Sequence, residues 1–514
     1  MGTQGGIFQL ITRDARNDQY LQGGELLRSR LCEIKKKRSK ERARLRASGD
    51  PAWAAYPIEP TFADVECSHI LPVRRSYRPF CAVGSQYHKI PSSGGGSSQL
   101  TSSDGSLVFA LPTFGDFLSD MVLHVRLDAV GDTSGATHYE YTHYPGIRLV
   151  KEAQLKSDQV AIDSYTRDDA LFVDKFWVDP KDRDGWDRCH GEQVAQTGEY
   201  WNSNEFTGCE TFKDGPQTRR LLQPALELWI PLQFSTGQDA SQSIPNDMLS
   251  NSQRAVEITL ASLGEMIRAR NATGDIIDLP IGSVGFRAEL YANQLYVNPE
   301  IHDIFSARLG FTLIRVHQTQ RKTVDAPSGS VRLDRIKYPV EFLQVGVRDV
   351  AAAADFDRWH LFGRRRVRAA ANALLAPAAI YNIGLGICQL VCRELTETTT
   401  LDALADTLHV SAAGVELYTS SDSRFYQAYL PLRWRKRTPA VTPKDRGVLL
   451  VPFDLYPGSD QPSGYLNLST EREAILGYTA PEVSPAAPAE FVVAASALNF
   501  MVRDGDSMRL RYST

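Results

Sequence analysis

Long stretches of the chain alternate apolar and polar residues with a period of two. In Met121-Val-Leu-His-Val-Arg-Leu-Asp128 the set Met121, Leu123, Val125 and Leu127 falls on one side, as do Leu226, Leu228, Ile230, Leu232 and Phe234 further on. Val256, Ile258 and Leu260 alternate with Glu257 and Thr259, and Val415 and Leu417 flank Glu416. Successive side chains of a β-strand point to opposite faces, so these runs predict strands with one buried face. Clusters of Gly, Pro, Ser and Asp separate them, at 91–98, 131–135 and 457–460. Short strands punctuated in this way predict β-sandwiches rather than βαβ units.

Three stretches depart from the pattern. Residues 22–50 predict a charged helix, and residues 178–222 and 349–410 lack a clean period, which marks them as long excursions from one end of the sandwiches. Alternating sets recur on both sides of about residue 275, and Ile230-Pro-Leu-Gln-Phe-Ser-Thr-Gly-Gln-Asp239 is echoed by Val451-Pro-Phe-Asp-Leu-Tyr-Pro-Gly-Ser-Asp460. With 514 residues and roughly 150 residues per domain, the expectation is an arm over 1–60 and two sandwiches in tandem, over 61–270 and 282–514. Trp229, Pro231, Phe234, Tyr296, Pro299, Trp359 and Pro462 are expected to fix strand packing or corners.

Composition narrows the function. With 42% hydrophobic and 23% charged residues the chain can bury a core. Its 57 basic and 61 acidic residues, net −4, exclude a surface that coats nucleic acid as a whole, so any such contact needs a local patch. Seven irregularly spaced cysteines do not make a disulfide framework and suggest a reducing compartment. No signal peptide is expected, and Gly6 stands where myristoylation wants Ser or Thr. Residues 369–392 carry no charge and follow Arg364-Arg-Arg-Val-Arg368, but Asn372, Pro377, Asn382, Gly384, Gly386 and Gln389 interrupt them, so a buried loop and strand is expected rather than a membrane span.

Candidate chemistry is sparse. There is no Gly-x-Ser-x-Gly elbow, no His-Glu-x-x-His and no Walker A loop, and Gly384-x-Gly386 never completes a dinucleotide fingerprint. Cys388 and Cys392 lack two further zinc ligands nearby, and Cys189-His190, His138 and His143 read as loop surface or packing. Asn271-Ala-Thr273 is a glycosylation sequon only in a secretory lumen. Asp168 and Asp169, neighbours on an expected strand, point apart and cannot act as a glycosidase dyad. No catalytic residue, metal site or cofactor is expected. A candidate partner contact is the run Lys35, Lys36, Lys37, Arg38, Lys40, Arg42, Arg44 and Arg46, with Glu41 alone of opposite sign. It suits an acidic partner or an anionic membrane surface. Without aromatics between Arg28 and Asp50 it has no base-stacking platform, so no specific nucleic-acid readout is expected.

Several blocks carry a family likeness. They are Gly5-Gly-Ile-Phe-Gln-Leu-Ile11, Leu26-Leu-Arg-Ser-Arg-Leu31, Phe80-Cys-Ala-Val-Gly-Ser-Gln-Tyr87 and Phe109-Ala-Leu-Pro-Thr-Phe-Gly-Asp-Phe-Leu-Ser-Asp-Met-Val122. Tyr144-Pro-Gly-Ile-Arg-Leu149 and Leu228-Trp-Ile-Pro-Leu-Gln-Phe234 follow. The second half adds Leu295-Tyr-Val-Asn-Pro-Glu-Ile-His-Asp-Ile-Phe305, Leu313-Ile-Arg-Val-His-Gln-Thr-Gln320 and Tyr338-Pro-Val-Glu341. Arg358-Trp-His-Leu-Phe-Gly363, Gln461-Pro-Ser-Gly-Tyr-Leu-Asn-Leu-Ser469 and Leu510-Arg-Tyr-Ser-Thr514 complete the set. Through them the chain resembles the double-jelly-roll major capsid proteins of large eukaryotic DNA viruses, in particular that of African swine fever virus and its relatives. The likeness spans the chain and weakens in 178–222 and 364–410, which look shorter.

The resemblance implies an all-β fold of two tandem eight-stranded jelly rolls with an N-terminal arm or base and long inter-strand loops. It implies a homotrimer forming a pseudo-hexameric capsomer, neighbouring capsomers in an icosahedral shell, and no enzymatic activity. It also implies minor capsid proteins, and an internal viral membrane, as inward partners of the arm. The location implied is the virion capsid, with assembly in a factory in the host cytoplasm. Two alternatives compete: a transient scaffold coating a viral membrane during assembly, and a carbohydrate-binding β-sandwich.

Overall fold

The alternating runs are strands. The computed structural model describes residues 24–49, 51–54, 56–59, 83–93, 99–158, 160–192, 195–202, 205–212, 216–249, 253–297, 302, 311–369, 397–435, 438–469, 473–504 and 507–512. The opening block 5–11, most of the uncharged segment 369–392, Pro299, Cys388 and Cys392 lie outside them. Residues 1–86 with 294–309 form one compact unit, and 87–293 with 310–514 form another.

The first set of strands comprises β1 (Val83–Pro91), β2 (Gly105–Ala110), β3 (Phe117–Leu127), β4 (Val150–Ser157), β5 (Val160–Thr166), β6 (Leu226–Pro231), β7 (Arg254–Leu260) and β8 (Ser283–Val297). The second comprises β9 (Phe311–Val324), β10 (Ser328–Arg332), β11 (Pro339–Asp349), β12 (Thr407–Ala412), β13 (Val415–Asp422), β14 (Val448–Pro452), β15 (Ala474–Thr479) and β16 (Ala489–Asp504). Strand neighbours run β1-β8-β3-β6 and β2-β7-β4-β5 in the first set, and β9-β16-β11-β14 and β10-β15-β12-β13 in the second. The two orders are identical once the second set is renumbered from its own first strand. Short additional strands extend one sheet of each set.

Burial follows the period of two. Met121, Leu123, Val125 and Leu127 of β3 and Val256, Ile258 and Leu260 of β7 are buried, with Leu228 and Ile230 of β6, and each CH₂ so removed from water contributes about 0.8 kcal/mol. The echo noticed between Pro231 and Pro452 is structural, since each proline closes the strand at the same end of its sheet, β6 and β14.

Ser283, Val284 and Gly285 pair with Thr101, Leu100 and Gln99, and β8 lies between β1 and β3. Three expectations need correction. Asp168 and Asp169 sit not on a strand but in the first turn of a helix, Arg167–Phe176, where Thr166 and Asp169 form a capping box. Val415 and Leu417 alternate as core residues do, yet they are 61% and 39% exposed, because β13 is the edge of its sheet. The excursion over 349–410 contains a hairpin, Arg364–Ala369 with Glu397–Asp402, and its last residues enter the sheet as β12. The 178–222 excursion holds a helix, Arg183–Cys189, and a hairpin of Ala195–Asn202 with Glu205–Phe212.

Candidate assembly site: the basic helix and the seam between the sandwiches

The eight cations singled out in the sequence lie on one helix, α1 (Gly24–Ala47), which is polar all round. At 3.6 residues per turn, Lys35, Arg38, Arg42 and Arg46 recur every three or four residues on one face. That face turns to the chain's own return segment. Lys35 pairs with Glu59, Arg38 Nη1 donates to Glu59 O at 2.9 Å, and Arg42 Nε donates to Trp53 O at 3.0 Å. The guanidiniums of Arg42 and Arg46 lie 5.6 and 5.2 Å from the Trp53 ring centre. Lys36, Lys37, Lys40 and Arg44 fall on the opposite face and are exposed, with Arg44 held loosely to Glu41 at 3.8 Å. Trp53 lies just beyond the aromatic-free window, so the sequence reading missed the residue that divides the eight.

A second constellation joins the two sandwiches. On β5, Asp163 accepts from His317 N of β9 at 2.8 Å and lies 3.0 Å from His317 Nδ1. On the helix Arg167–Phe176, Asp169 accepts from Thr319 Oγ1 at 2.7 Å, and Asp168 takes both Arg321 (2.6 Å) and Arg348 (3.1 Å), with Arg348 also bound to Glu490 at 2.9 Å. Apolar contacts accompany them: Phe172 stacks on Phe362 at 5.1 Å, and Trp177 tilts against Phe342 at 5.2 Å. This explains β11, whose residues Pro339 to Arg348 are all buried. One face meets its own core and the other meets the first sandwich.

Burial by itself would lower His317, but the Asp163 carboxylate outweighs it and raises the imidazole to about 9. The sign follows from linkage. A histidine whose folded pKa lies above the usual 6.5 stabilises fully below pH 6.5 and loses that contribution as pH rises through 9. We therefore expect the wild-type protein to lose about 3 kcal/mol more than His317→Gln across this window. Denaturant melts of both proteins at a series of pH values between 6 and 9.5 check this, and parallel curves would refute it.

The recurring strand order can now be set beside known proteins. No protein-family model matches the chain. The major capsid protein of African swine fever virus (isolate Warthog/Namibia/Wart80/1980) is 24% identical over 99% of this chain and 100% of the relative. The hexon protein p72 of the Badajoz 1971 Vero-adapted strain matches to the same extent. These alignments run over 667 positions against 514 residues here, so the relatives carry insertions that this chain lacks. The Faustovirus major capsid protein superposes with a TM-score of 0.69 at 23% identity, covering 96% of this chain and 100% of that one. The PBCV-1 capsid subunit follows at 0.58 and 17%, covering 86% and 99%. The fold is the double jelly roll of viral capsid proteins. These relatives are capsid proteins, not enzymes.

Elsewhere in the double jelly roll the titratable groups fasten loops. Half-buried Tyr144 has a left-handed backbone (φ 45°) and its N–H donates to Glu192 at 2.7 Å, while His143 Nδ1 lies 3.0 Å from the same carboxylate. Its hydroxyl accepts from Arg183, which also holds Asp174 at 2.9 Å and Asp187 at 3.0 Å. Burial pushes Asp187 up to about 6, against the pull of Arg183, and drives His190 down to about 4. His190 and Cys189 end the helix Arg183–Cys189, with His190 Nδ1 2.9 Å from Trp186 O, and burial pushes the Cys189 thiol up. Among the described residues no group of three His, Cys, Asp or Glu is arranged to hold a metal, and no helix is long and apolar enough to cross a membrane. Asn271 and Thr273 bond to each other and to Asp275 in an exposed turn.

Of the expected framework residues, Trp359 and Phe234 are 2% exposed, whereas Trp229 is 39% exposed. Trp229 points from the outer face of β6, stacked on His124 at 4.1 Å and beside Tyr291 at 5.3 Å. Phe311, Leu432 and Leu455, at 64%, 62% and 68% exposure, add large apolar groups to the outside of the second jelly roll.

Proposed function

We propose that this chain is the major capsid protein of a large DNA virus, three copies of which close into a pseudo-hexameric capsomer. The observation that carries the reading is the tandem repetition of one strand order in one chain, β1-β8-β3-β6 with β2-β7-β4-β5 and then β9-β16-β11-β14 with β10-β15-β12-β13. Three double jelly rolls around a threefold axis present six similar corners, which tile a shell, and closed symmetry leaves no open-ended growth within the capsomer. Exposed Trp229, Phe311 and Leu432 suit burial on association, since aromatic and large apolar anchors dominate such interfaces. The free face of α1, Lys36, Lys37, Lys40 and Arg44, suits an acidic minor protein or an anionic inner membrane. Assembly would take place in a cytoplasmic factory, with the product in the virion capsid.

The purified protein is expected to have a native mass about three times the 57.1 kDa chain. Trp229→Asp is expected to shift it toward monomer while leaving the fold intact, because Trp229 lies outside the core. Native mass spectrometry and circular dichroism check both statements. A wild-type protein that stays monomeric at high concentration refutes the trimer, and its absence from purified mature particles would favour the transient scaffold instead.

A further inference from the structure

We propose that the seam between the two jelly rolls holds a binding site for a small phosphate-bearing anion. A cavity of about 550 Å³ opens there, walled by Arg148, Lys151 and Arg167 from the first jelly roll and Arg321 and Arg348 from the second. Its carboxylates do not satisfy the first wall. Glu265 alone serves three cations, at 2.7 Å from Lys151, 3.0 Å from Arg167 and 3.6 Å from Arg148, although Lys151 also reaches Asp104 at 2.7 Å. Asp168 and Glu490 are taken up by Arg321 and Arg348, and Glu152, the remaining carboxylate of the lining, accepts from Gln154.

Arg148 is left short of acceptors. Its side chain is 6% exposed, yet neither Nε nor Nη1 has a hydrogen-bond partner, and Arg167 Nε is buried and unfilled as well. A buried guanidinium N–H without an acceptor costs free energy that an incoming oxyanion restores, and charge-assisted N–H···O bonds are the strong kind. Burial first, and after it the neighbouring Arg167, depresses Arg148 to about 10 despite the pull of Glu265. Phosphate oxygens match the fork of donors better than a monovalent halide does. Both guanidiniums already lie over the Trp359 ring, at 4.7 and 5.6 Å, so no aromatic face is free to stack a base. The site therefore reads phosphate groups and not a nucleoside. An anion there touches both jelly rolls and stabilises their joint by mass action.

Isothermal titration calorimetry of the full-length protein, in the oligomeric form in which it purifies, tests this with inorganic tripolyphosphate at fixed ionic strength. One site per chain is expected, with ATP binding no tighter than tripolyphosphate. Arg148→Gln is expected to weaken binding at least tenfold, and Arg321→Gln, half-exposed at the rim, at least threefold. Absence of binding to the wild type, unchanged affinity in Arg321→Gln, or binding of ATP without tripolyphosphate overturns the proposal. Should Arg148→Gln fail to fold, the Arg321→Gln measurement decides.

Discussion

Arg315→Met is expected to destabilise the second jelly roll by about 3–5 kcal/mol, because it strands a buried carboxylate. Arg315 on β9 and Glu341 on β11 are 8% and 1% exposed and reach each other across β16. Their contact is bidentate, with Nε–Oε2 at 2.6 Å and Nη2–Oε1 at 3.1 Å, and Arg315 Nη2 also donates to Ser459 O at 2.6 Å. The neighbourhood already strains against negative charge, since burial and then Glu341 push Asp454 up to about 7. Without the guanidinium, Glu341 and Asp454 would face each other with no cation between them. Thermal melts should show a fall of roughly 5 °C, the shift such a loss produces when the two jelly rolls melt together. Arg315→Met with Glu341→Leu should recover most of the loss, because removing both charges removes the desolvation cost as well. A double variant as unstable as the single one would mean that packing of the arginine stem, not charge, is what the site needs.

The same pair shows where sequence reading ends. Period-two alternation is legible in β3, β6 and β7 because those strands have one dry face and one wet face. β11 has two dry faces, so Glu341 and Arg348 break its apolar run without betraying that each meets its partner inside. Val415 and Leu417 give the opposite error, since a pattern of side chains cannot report that its strand lies at an edge. The basic helix was legible from local charge density alone. Its division into an engaged and a free face was not, because that depends on Trp53 and Glu59 folding back along it. Asp163 and His317 lie 154 positions apart, so nothing local to either announces the seam. The tandem repeat survived in a faint echo because Pro231 and Pro452 do the same job twice, closing a strand that needs no further ladder donor.

Trp359→Ala is expected to cost about 3–5 kcal/mol, as large-to-small changes at buried aromatic positions do. Trp359 belongs to the excursion after β11 but is buried against the first jelly roll, 2% exposed. Its Nε1 donates to Thr142 Oγ1 at 3.0 Å, and that hydroxyl donates on to Phe356 O at 2.9 Å, closing a bridge between the two halves of the chain. Its ring carries the guanidiniums of Arg148 and Arg167. Alanine would therefore open a cavity, break the bridge and remove the π-face from buried Arg148 and half-buried Arg167 at once. Trp359→Phe keeps the ring but not the N–H, and is expected to cost only about 1 kcal/mol, the usual net worth of one hydrogen bond. Scanning calorimetry separates the possibilities. If the side chain couples the two jelly rolls, the alanine variant resolves into two transitions where the wild type and the phenylalanine variant show one. A single transition lowered equally in both variants would instead assign the whole effect to the hydrogen bond with Thr142.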